Sequence, residues 1–277
     1  MTEQTPSRGL ALVTEQTPSR GLALVTGASG GIGSRIAHAL AAAGYTLLLH
    51  SRAEHSRLRD IERACSAAGV ESFTVRADLS TQSGVVAVSD RARQLLSDGH
   101  ELTLIVNNAA ELLSPEFART TPNDFDYFFA TNVRAPFFLV QSLVPVMPRD
   151  ASIVNISSAS AHFSSPGDTA YAMSKAALES FTVQAAETLA ERGIRINTVV
   201  PGFTDNGYEL FQNAEAIAYM DTFAVLGGVA HPDDVAQAVV FLASPAARRI
   251  TGSALDVTGG SMLGARRGRQ KSVREAT

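Results

Sequence analysis

The chain has no tryptophan, and aromatic residues make up only 6% of its 277 positions. It has one cysteine, Cys65. A disulfide within the chain is therefore excluded, and a lone thiol in a helical-looking stretch (59–68) reads as buried and structural. No apolar run approaches the roughly 18 residues of a membrane span, and the N-terminus is polar rather than signal-like. The six histidines, at 38, 50, 55, 100, 162 and 231, show no metal-ligand spacing with cysteines or carboxylates. An excess of positive charge is also missing. With 23 basic against 27 acidic residues and a net charge of -4, a general nucleic-acid binder is disfavoured. Asn155-Ile-Ser157 matches a glycosylation sequon, which in such a chain is read as chance. These absences lead to the expectation of a cytoplasmic globule without metal, membrane anchor or nucleic-acid partner.

At 45% hydrophobic and 18% charged, the chain suits one large domain with a sizeable core. The N-terminus repeats itself: residues 2–13 recur unchanged as 14–25, and only the second copy runs on into Thr26-Gly27. One extra copy is not a solenoid. Residues 1–19 are expected to be a redundant, disordered tail; the other reading is an added edge strand at Leu10-Ala-Leu-Val13. Residues 264–277 carry five basic residues and read as a solvated tail rather than a partner patch. The domain is expected to span 20–263.

Within it, apolar runs alternate with helical patterns. Strands are expected at 22–26, 46–50, 72–76, 102–106, 152–156, 194–200 and 254–257, and helices at 31–43, 125–147, 171–192 and 232–243, among others. Near-continuous apolar strands imply cover on both faces. Alternation with helices implies right-handed βαβ units and an α/β, single-domain, Rossmann-type fold with a doubly wound, parallel seven-stranded sheet.

Thr26-Gly27-Ala-Ser29-Gly-Gly31-Ile32-Gly33 falls where the first strand gives way to the first helix. Gly27 would permit the tight turn, Gly31 the approach of backbone to a pyrophosphate, and Gly33 close packing of helix on strand. The helix N-terminus would offer free N–H groups to phosphate. After strand two, where a carboxylate would favour NAD, the chain reads His50-Ser51-Arg52. Arg52 is suited to a 2′-phosphate, so NADP (NADPH) is expected over NAD, which stays possible; a solvated surface arginine is the plain alternative. Glu54 is expected to open the next helix. Asp78 is expected either to bond the adenine amino group or to cap the helix that follows.

Tyr171 and Lys175 stand four apart, one turn of helix, with Ser158 thirteen residues upstream of the tyrosine. An ammonium beside a phenol favours the phenolate and lowers a pKa that is ordinarily about 10. Such a tyrosine can exchange a proton with an alcohol or carbonyl oxygen.

Together these residues resemble the short-chain dehydrogenase/reductase family, of the 3-oxoacyl-carrier-protein reductase or glucose-ribitol dehydrogenase type. The marks are Thr26-Gly27-x-x-x-Gly31-x-Gly33, Asn107-Asn108-Ala109-Ala110, Asn132, Ser158, Tyr171-x-x-x-Lys175 and Pro201-Gly202, with lesser matches at 194–197 and 232–236. The resemblance spans about residues 21–263. It implies a carbonyl/alcohol oxidoreductase, expected to work as an NADPH-dependent ketone reductase, in which Tyr171 is the general acid/base and Lys175 tunes it and binds the nicotinamide ribose. It further implies that Ser158 bonds the reacting oxygen and Asn132 holds a proton-relaying water. Gly27, Ser29, Gly31, Ile32, Gly33, Arg52, Asp78, Leu79, Asn108, Ala109, Pro201 and Gly202, with Tyr171 and Lys175, would line the nucleotide, and Asn107 would brace the sheet. A homodimer or homotetramer through the two long helices is implied as well. Ala110, Asn206, Gly228 and Ala230 depart from the family pattern. A nucleotide sensor that has lost turnover is the alternative, and a methyltransferase would not need Tyr-x-x-x-Lys.

Substrate choice is expected from the loop after Pro201, through Tyr208, Phe211, Tyr219, Met220 and Phe223. Two readings stand there: an apolar lid, or an amphipathic helix packed on the core. His162 reads as an exposed loop histidine or a residue of the substrate mouth.

Overall fold

The computed structural model describes residues 20–112, 114–164 and 166–263. The first copy of the duplicated segment, the extra-strand reading of Leu10–Val13 and the basic C-terminal tail lie outside the described residues.

Seven parallel strands form one sheet in the order β3-β2-β1-β4-β5-β6-β7. They are β1 (Leu22–Val25), β2 (Thr46–Ser51), β3 (Ser72–Arg76), β4 (Leu102–Asn107), β5 (Ser152–Ile156), β6 (Arg195–Pro201) and β7 (Ala254–Val257). The helices between them are α1 (Gly31–Ala42), α2 (Ser56–Ala67), α3 (Gln82–Ser97), α4 (Pro122–Phe129), α5 (Ala135–Leu143), α6 (Thr169–Glu191), α7 (Ala214–Asp221) and α8 (Pro232–Ala243). Each strand sends alternate side chains to opposite faces. Ala23, Val25, Leu47 and Leu49 join Ile36, Leu40, Ile61, Cys65, Val235 and Val239 in one apolar layer under α1, α2 and α8. Leu22, Leu24, Leu48 and Ile105 join Val88, Leu95, Leu139, Leu143 and Leu189 in the other, under α3, α5 and α6. Cys65 is fully buried in the first of these layers, as a structural thiol should be. Asn155 is equally buried, within β5, which excludes its sequon from use.

The strand order reverses between β1 and β4, and in such sheets the crevice at the carboxyl ends beside that reversal is where ligands bind. Among the described residues no helix is long and apolar enough to cross a membrane.

The expected single helix over 125–147 is two helices joined by a π turn at Ala130–Arg134. Pro136 explains the break. It has no N–H to give the carbonyl four residues back, which is that of Asn132, and the Ala135 N–H bonds instead to the Ala130 carbonyl, five back. Glu54 does not open α2: it precedes the cap, whose side-chain acceptor is His55.

Candidate active site

The glycine turn closes the carboxyl end of β1 against that of β4. Thr26 Oγ1 accepts from the backbone N–H groups of Asn108 (2.9 Å) and Ala109 (3.0 Å) and donates to the Val106 carbonyl. Asn108 Nδ2 donates to the carbonyls of Thr26 and Gly27. Gly27 sits at φ +66°, and a Cβ on Gly33 would fall 2.2 Å from the Gly27 carbonyl oxygen. Both glycines therefore do what their positions suggested. The bare Cα of Gly31 is covered by the Asn206 backbone, whose carbonyl oxygen would lie 2.2 Å from a Cβ there. The loop after Pro201 thus folds over the glycine turn, and a side chain at Gly31 would obstruct that packing. His50 adds a brace that the sequence did not disclose. Its Nδ1 accepts from the Gly27 N–H (3.2 Å) and its Nε2 donates to the Ala77 carbonyl (3.0 Å). That pattern needs the neutral ring, and burial lowers its pKa accordingly.

A cleft of about 660 Å³ runs from this turn to the end of β5 and the loop after β6. Every nucleotide-site residue named from the sequence lines it: Gly27, Ser29, Gly31, Ile32, Gly33, Arg52, Asp78, Leu79, Asn108, Ala109, Tyr171, Lys175, Pro201 and Gly202. Ser158 lines it too. Asn132 does not; it is fully buried behind the wall. Asp78 is not the cap of α3, which is Thr81. It accepts from the Ser80 N–H at 2.9 Å, and the Ser80 side chain first, then this N–H and the nearby Arg52, hold its carboxyl below the usual range.

Three further lining residues could not be found from spacing. Arg57 reaches across from α2 to the Ser29 carbonyl at 3.2 Å. Glu111 pairs with Arg52 at 3.2 Å. Thr131, in the π turn, carries a buried hydroxyl with no partner among the described residues. An orphaned hydroxyl, two arginines and a glycine turn tied to β4 are a donor set that fits a dinucleotide carrying phosphate.

At the other end, Ser158 caps a short turn after β5, and its Oγ accepts from Ser160 Oγ at 3.0 Å. Its hydroxyl also acts on the Tyr171 phenol, lowering that pKa against the larger opposing effect of burial. Lys175 is 2% exposed, and its Nζ donates to the Ile156 carbonyl at 2.7 Å. The ammonium lies 5.7 Å from the Tyr171 ring centroid. The expected depression of the tyrosine does not occur in the protein alone. Burial pushes Tyr171 up to about 12, with Asp168 adding to it, and pushes Lys175 down to about 8. Desolvation is the largest influence at each group. The arrangement presents a protonated phenol, a serine hydroxyl and a cation together, which is suited to giving a proton to an oxygen.

The Asn132 side chain is tied to its neighbours. Its Oδ1 accepts from the Glu111 N–H at 2.8 Å, and its Nδ2 donates to the Glu111 carbonyl and to Ser174 Oγ. Both amide hydrogens are thus spent on protein, so the side chain is a structural tie. The Asn132 backbone carbonyl has lost its helical donor, because the residue four on is Pro136.

The loop after Pro201 divides between the two readings. Tyr208 and Phe211 line the cleft, whereas Met220 is buried and Phe223 packs among Phe163, Phe203 and Tyr219 with ring centroids 5.2–5.9 Å apart. Phe163 and Phe203 face the cleft as well; nothing in their spacing had marked them. His162 is exposed, pairs with Glu179 at 3.0 Å and lies off the cleft lining.

A parallel sheet with a glycine turn at the switch point, facing a Ser-Tyr-Lys cluster, defines the class: a nucleotide-binding oxidoreductase. Comparison with known proteins agrees. The family model for enoyl-(acyl carrier protein) reductase matches residues 27–262. The 3-oxoacyl-[acyl-carrier-protein] reductase FabG of Staphylococcus aureus (strain Mu50) is 33% identical over 239 residues, covering 86% of this chain and 96% of its own. Among solved structures, the angucycline C-6 ketoreductase LanV with bound NADP superposes with a TM-score of 0.85 at 37% identity, covering 89% of this chain and 97% of that one. LugOII, a promiscuous reductase of lugdunomycin biosynthesis that performs keto-reduction at C1, superposes with a TM-score of 0.85 at 35% identity, covering 88% and 99%. The chain belongs to the short-chain dehydrogenase/reductase family.

Proposed function

We propose that the protein is an NADPH-dependent ketone reductase whose substrate is a flat, apolar, polycyclic ketone. The observation that carries the reading is the convergence of Ser158, Tyr171 and Lys175 at the cleft end opposite the glycine turn. Arg52 and Arg57 would hold the 2′-phosphate, Thr131 would bond the adenosine part, and the Pro201-Gly202 turn would flank the nicotinamide. When bound, the nucleotide supplies the hydride.

Tyr171, still protonated at neutral pH with a pKa of about 12, gives its proton to the carbonyl oxygen. Ser158 hydrogen-bonds the same oxygen and stabilises the charge developing on it. Lys175, mostly charged at pH 7 with a pKa of about 8, offsets the phenolate left behind. Water at the Asn132 carbonyl would return a proton from solvent. The substrate class is supported by the aromatic wall of Phe163, Phe203, Tyr208 and Phe211, and by the named activities of LanV and LugOII. Phe137, Phe138, Met173 and Val183 are exposed on α5 and α6, which supports pairing with a second copy through these helices.

NADPH absorbance with a panel of polycyclic aromatic ketones, a 3-oxoacyl thioester and a small aliphatic ketone tests the reading. The polycyclic ketones should turn over fastest; a preference for the thioester would move the substrate class toward that of FabG. Tyr171→Phe should lower turnover about 10²- to 10⁴-fold while nucleotide binding persists. Unchanged turnover in that variant would sink the mechanism, and nucleotide binding with no turnover on any carbonyl would favour the sensor alternative.

A further inference from the structure

The adenosine end of the cleft contains a carboxylate that does not come from the strand expected to supply one. Arg52, just after β2, points its Nη1 at Glu111 Oε2 (3.2 Å) and at the Tyr127 hydroxyl (2.5 Å). Guanidinium, phenol and carboxylate therefore meet at Arg52. Glu111 itself is anchored: Asn132 bonds both its N–H and its carbonyl. Its carboxylate therefore stays at the cleft wall whatever Arg52 does. Arg57 lines the same cleft, and among the described residues it has no carboxylate partner.

A phosphate monoester carries about 1.5 to 2 negative charges near neutral pH and takes an arginine fork bidentately. A 2′-phosphate arriving here would find Arg57 uncompensated and Arg52 already neutralised. To use Arg52 it must displace the Glu111 carboxylate, which then remains nearby as a like charge. A ribose 2′-hydroxyl meets the opposite situation, because it can donate to that carboxylate.

We propose that Glu111 is the resident counter-ion of Arg52 and sets the nucleotide preference, holding NADPH binding below what Arg52 and Arg57 would give alone and keeping NADH usable. This rests on the NADPH reading above. The side chains of Arg52 and Glu111 are 62% and 29% exposed. Water and salt therefore screen the pair, and the effect is at the scale of a surface ion pair, about two- to fivefold in affinity.

Titration calorimetry with 2′,5′-ADP and 5′-ADP on the wild type, Glu111→Gln, Glu111→Ala and Arg52→Ala/Glu111→Gln tests it without any turnover. Either Glu111 variant should bind 2′,5′-ADP about two- to fivefold more tightly, bind 5′-ADP no better than the wild type, and lose the gain as salt is raised. With Arg52 absent the gain should shrink, because the carboxylate acts on that arginine. Equal changes for both ligands, or weaker binding of 2′,5′-ADP, would overturn the proposal. The wild type alone reports on the parent reading: if it does not prefer 2′,5′-ADP over 5′-ADP, the NADPH assignment fails. The Glu111 proposal is judged separately, on the change between wild type and variants. Because Asn132 bonds the Glu111 backbone and not its side chain, both variants should fold, and a thermal melt within a few degrees of the wild type verifies this.

Discussion

Lys175 is the residue at which function and stability should oppose each other, and Lys175→Met makes the conflict measurable. The side chain is 2% exposed, and burial holds its pKa at about 8 against an ordinary 10.5. At about 1.36 kcal/mol per pH unit, keeping the charged lysine in the fold at pH 7 costs about 3 kcal/mol. The unfolded chain keeps its proton up to pH 10.5, whereas the folded chain releases it near 8. Across that window the unfolded state binds more protons, so stability rises with pH. By pH 9.5 the penalty has fallen to about 1 kcal/mol.

Methionine has nearly the same shape and does not titrate. It forfeits the bond to the Ile156 carbonyl, and leaving that acceptor unpaired costs about 1 to 2 kcal/mol. The variant should therefore be more stable than the wild type by about 1 to 2 kcal/mol at pH 7, and no more stable at pH 9.5. The tyrosine adds nothing to this difference, because its titration is common to both proteins. Urea unfolding followed by far-ultraviolet circular dichroism is the assay, since the chain has no tryptophan to report. A stability difference that does not change with pH would refute the reasoning, as would a variant weaker than the wild type at pH 7. The same variant should have lost turnover, as expected where a strained group is kept for chemistry.

Arg52→Asp should lower the ratio of kcat/KM with NADPH to that with NADH about ten- to hundredfold, the scale of a lost charge-assisted bond; steady-state kinetics with both nucleotides would show an unaltered ratio if Arg52 is only a surface charge. Gly33→Ala forces a methyl to within 2.2 Å of the Gly27 carbonyl oxygen and 2.6 Å of Asn108 Nδ2, so α1 must move off the turn. The expected loss is about 1 to 3 kcal/mol in urea unfolding together with weaker nucleotide binding, and wild-type values for both would contradict the packing described.

Much of the architecture was legible because it is written in local periodicity. All seven strands follow from short apolar runs that alternate with helical patterns, and Gly27 and Gly33 follow from the turn they must make. The site was less legible where it depends on contacts between distant segments. Arg57, Thr131, Phe163 and Phe203 reach the cleft only after α2, the π turn and the β5 and β6 loops are folded. Glu111 lies 59 residues from the arginine it neutralises, so a search for a carboxylate after the second strand passes over it. The π turn did have a signal, Pro136 inside a helical pattern, and a reading over 125–147 that ran through the proline missed it. The Tyr171 pKa was misjudged for a different reason: spacing reveals the neighbouring cation but not the desolvation that opposes it.

That desolvation has a structural purpose, visible in the polar residues embedded in otherwise apolar strands. Asn107 Nδ2 donates to Asn155 Oδ1 at 2.8 Å, Asn155 Nδ2 donates to Thr182 Oγ1 at 2.8 Å, and Thr182 bonds Thr198 at 2.7 Å. All four residues are almost wholly buried. This ladder crosses β4, β5, α6 and β6, tying the helix that carries Tyr171 and Lys175 to the strand that leads into Ser158. A buried amide left without its partner costs about 1 to 3 kcal/mol, so sliding α6 along the sheet would break bonds that water cannot replace. Apolar contacts alone would hold α6 against the sheet but would tolerate small shifts along it. The ladder removes that freedom, so the distance between the serine and tyrosine hydroxyls is set by the fold before any substrate arrives. Asn107 Oδ1 is left without a partner among the described residues, but the buried lysine is the charged group whose cost the network does not offset, which is why it is the place to look for stability sacrificed to chemistry.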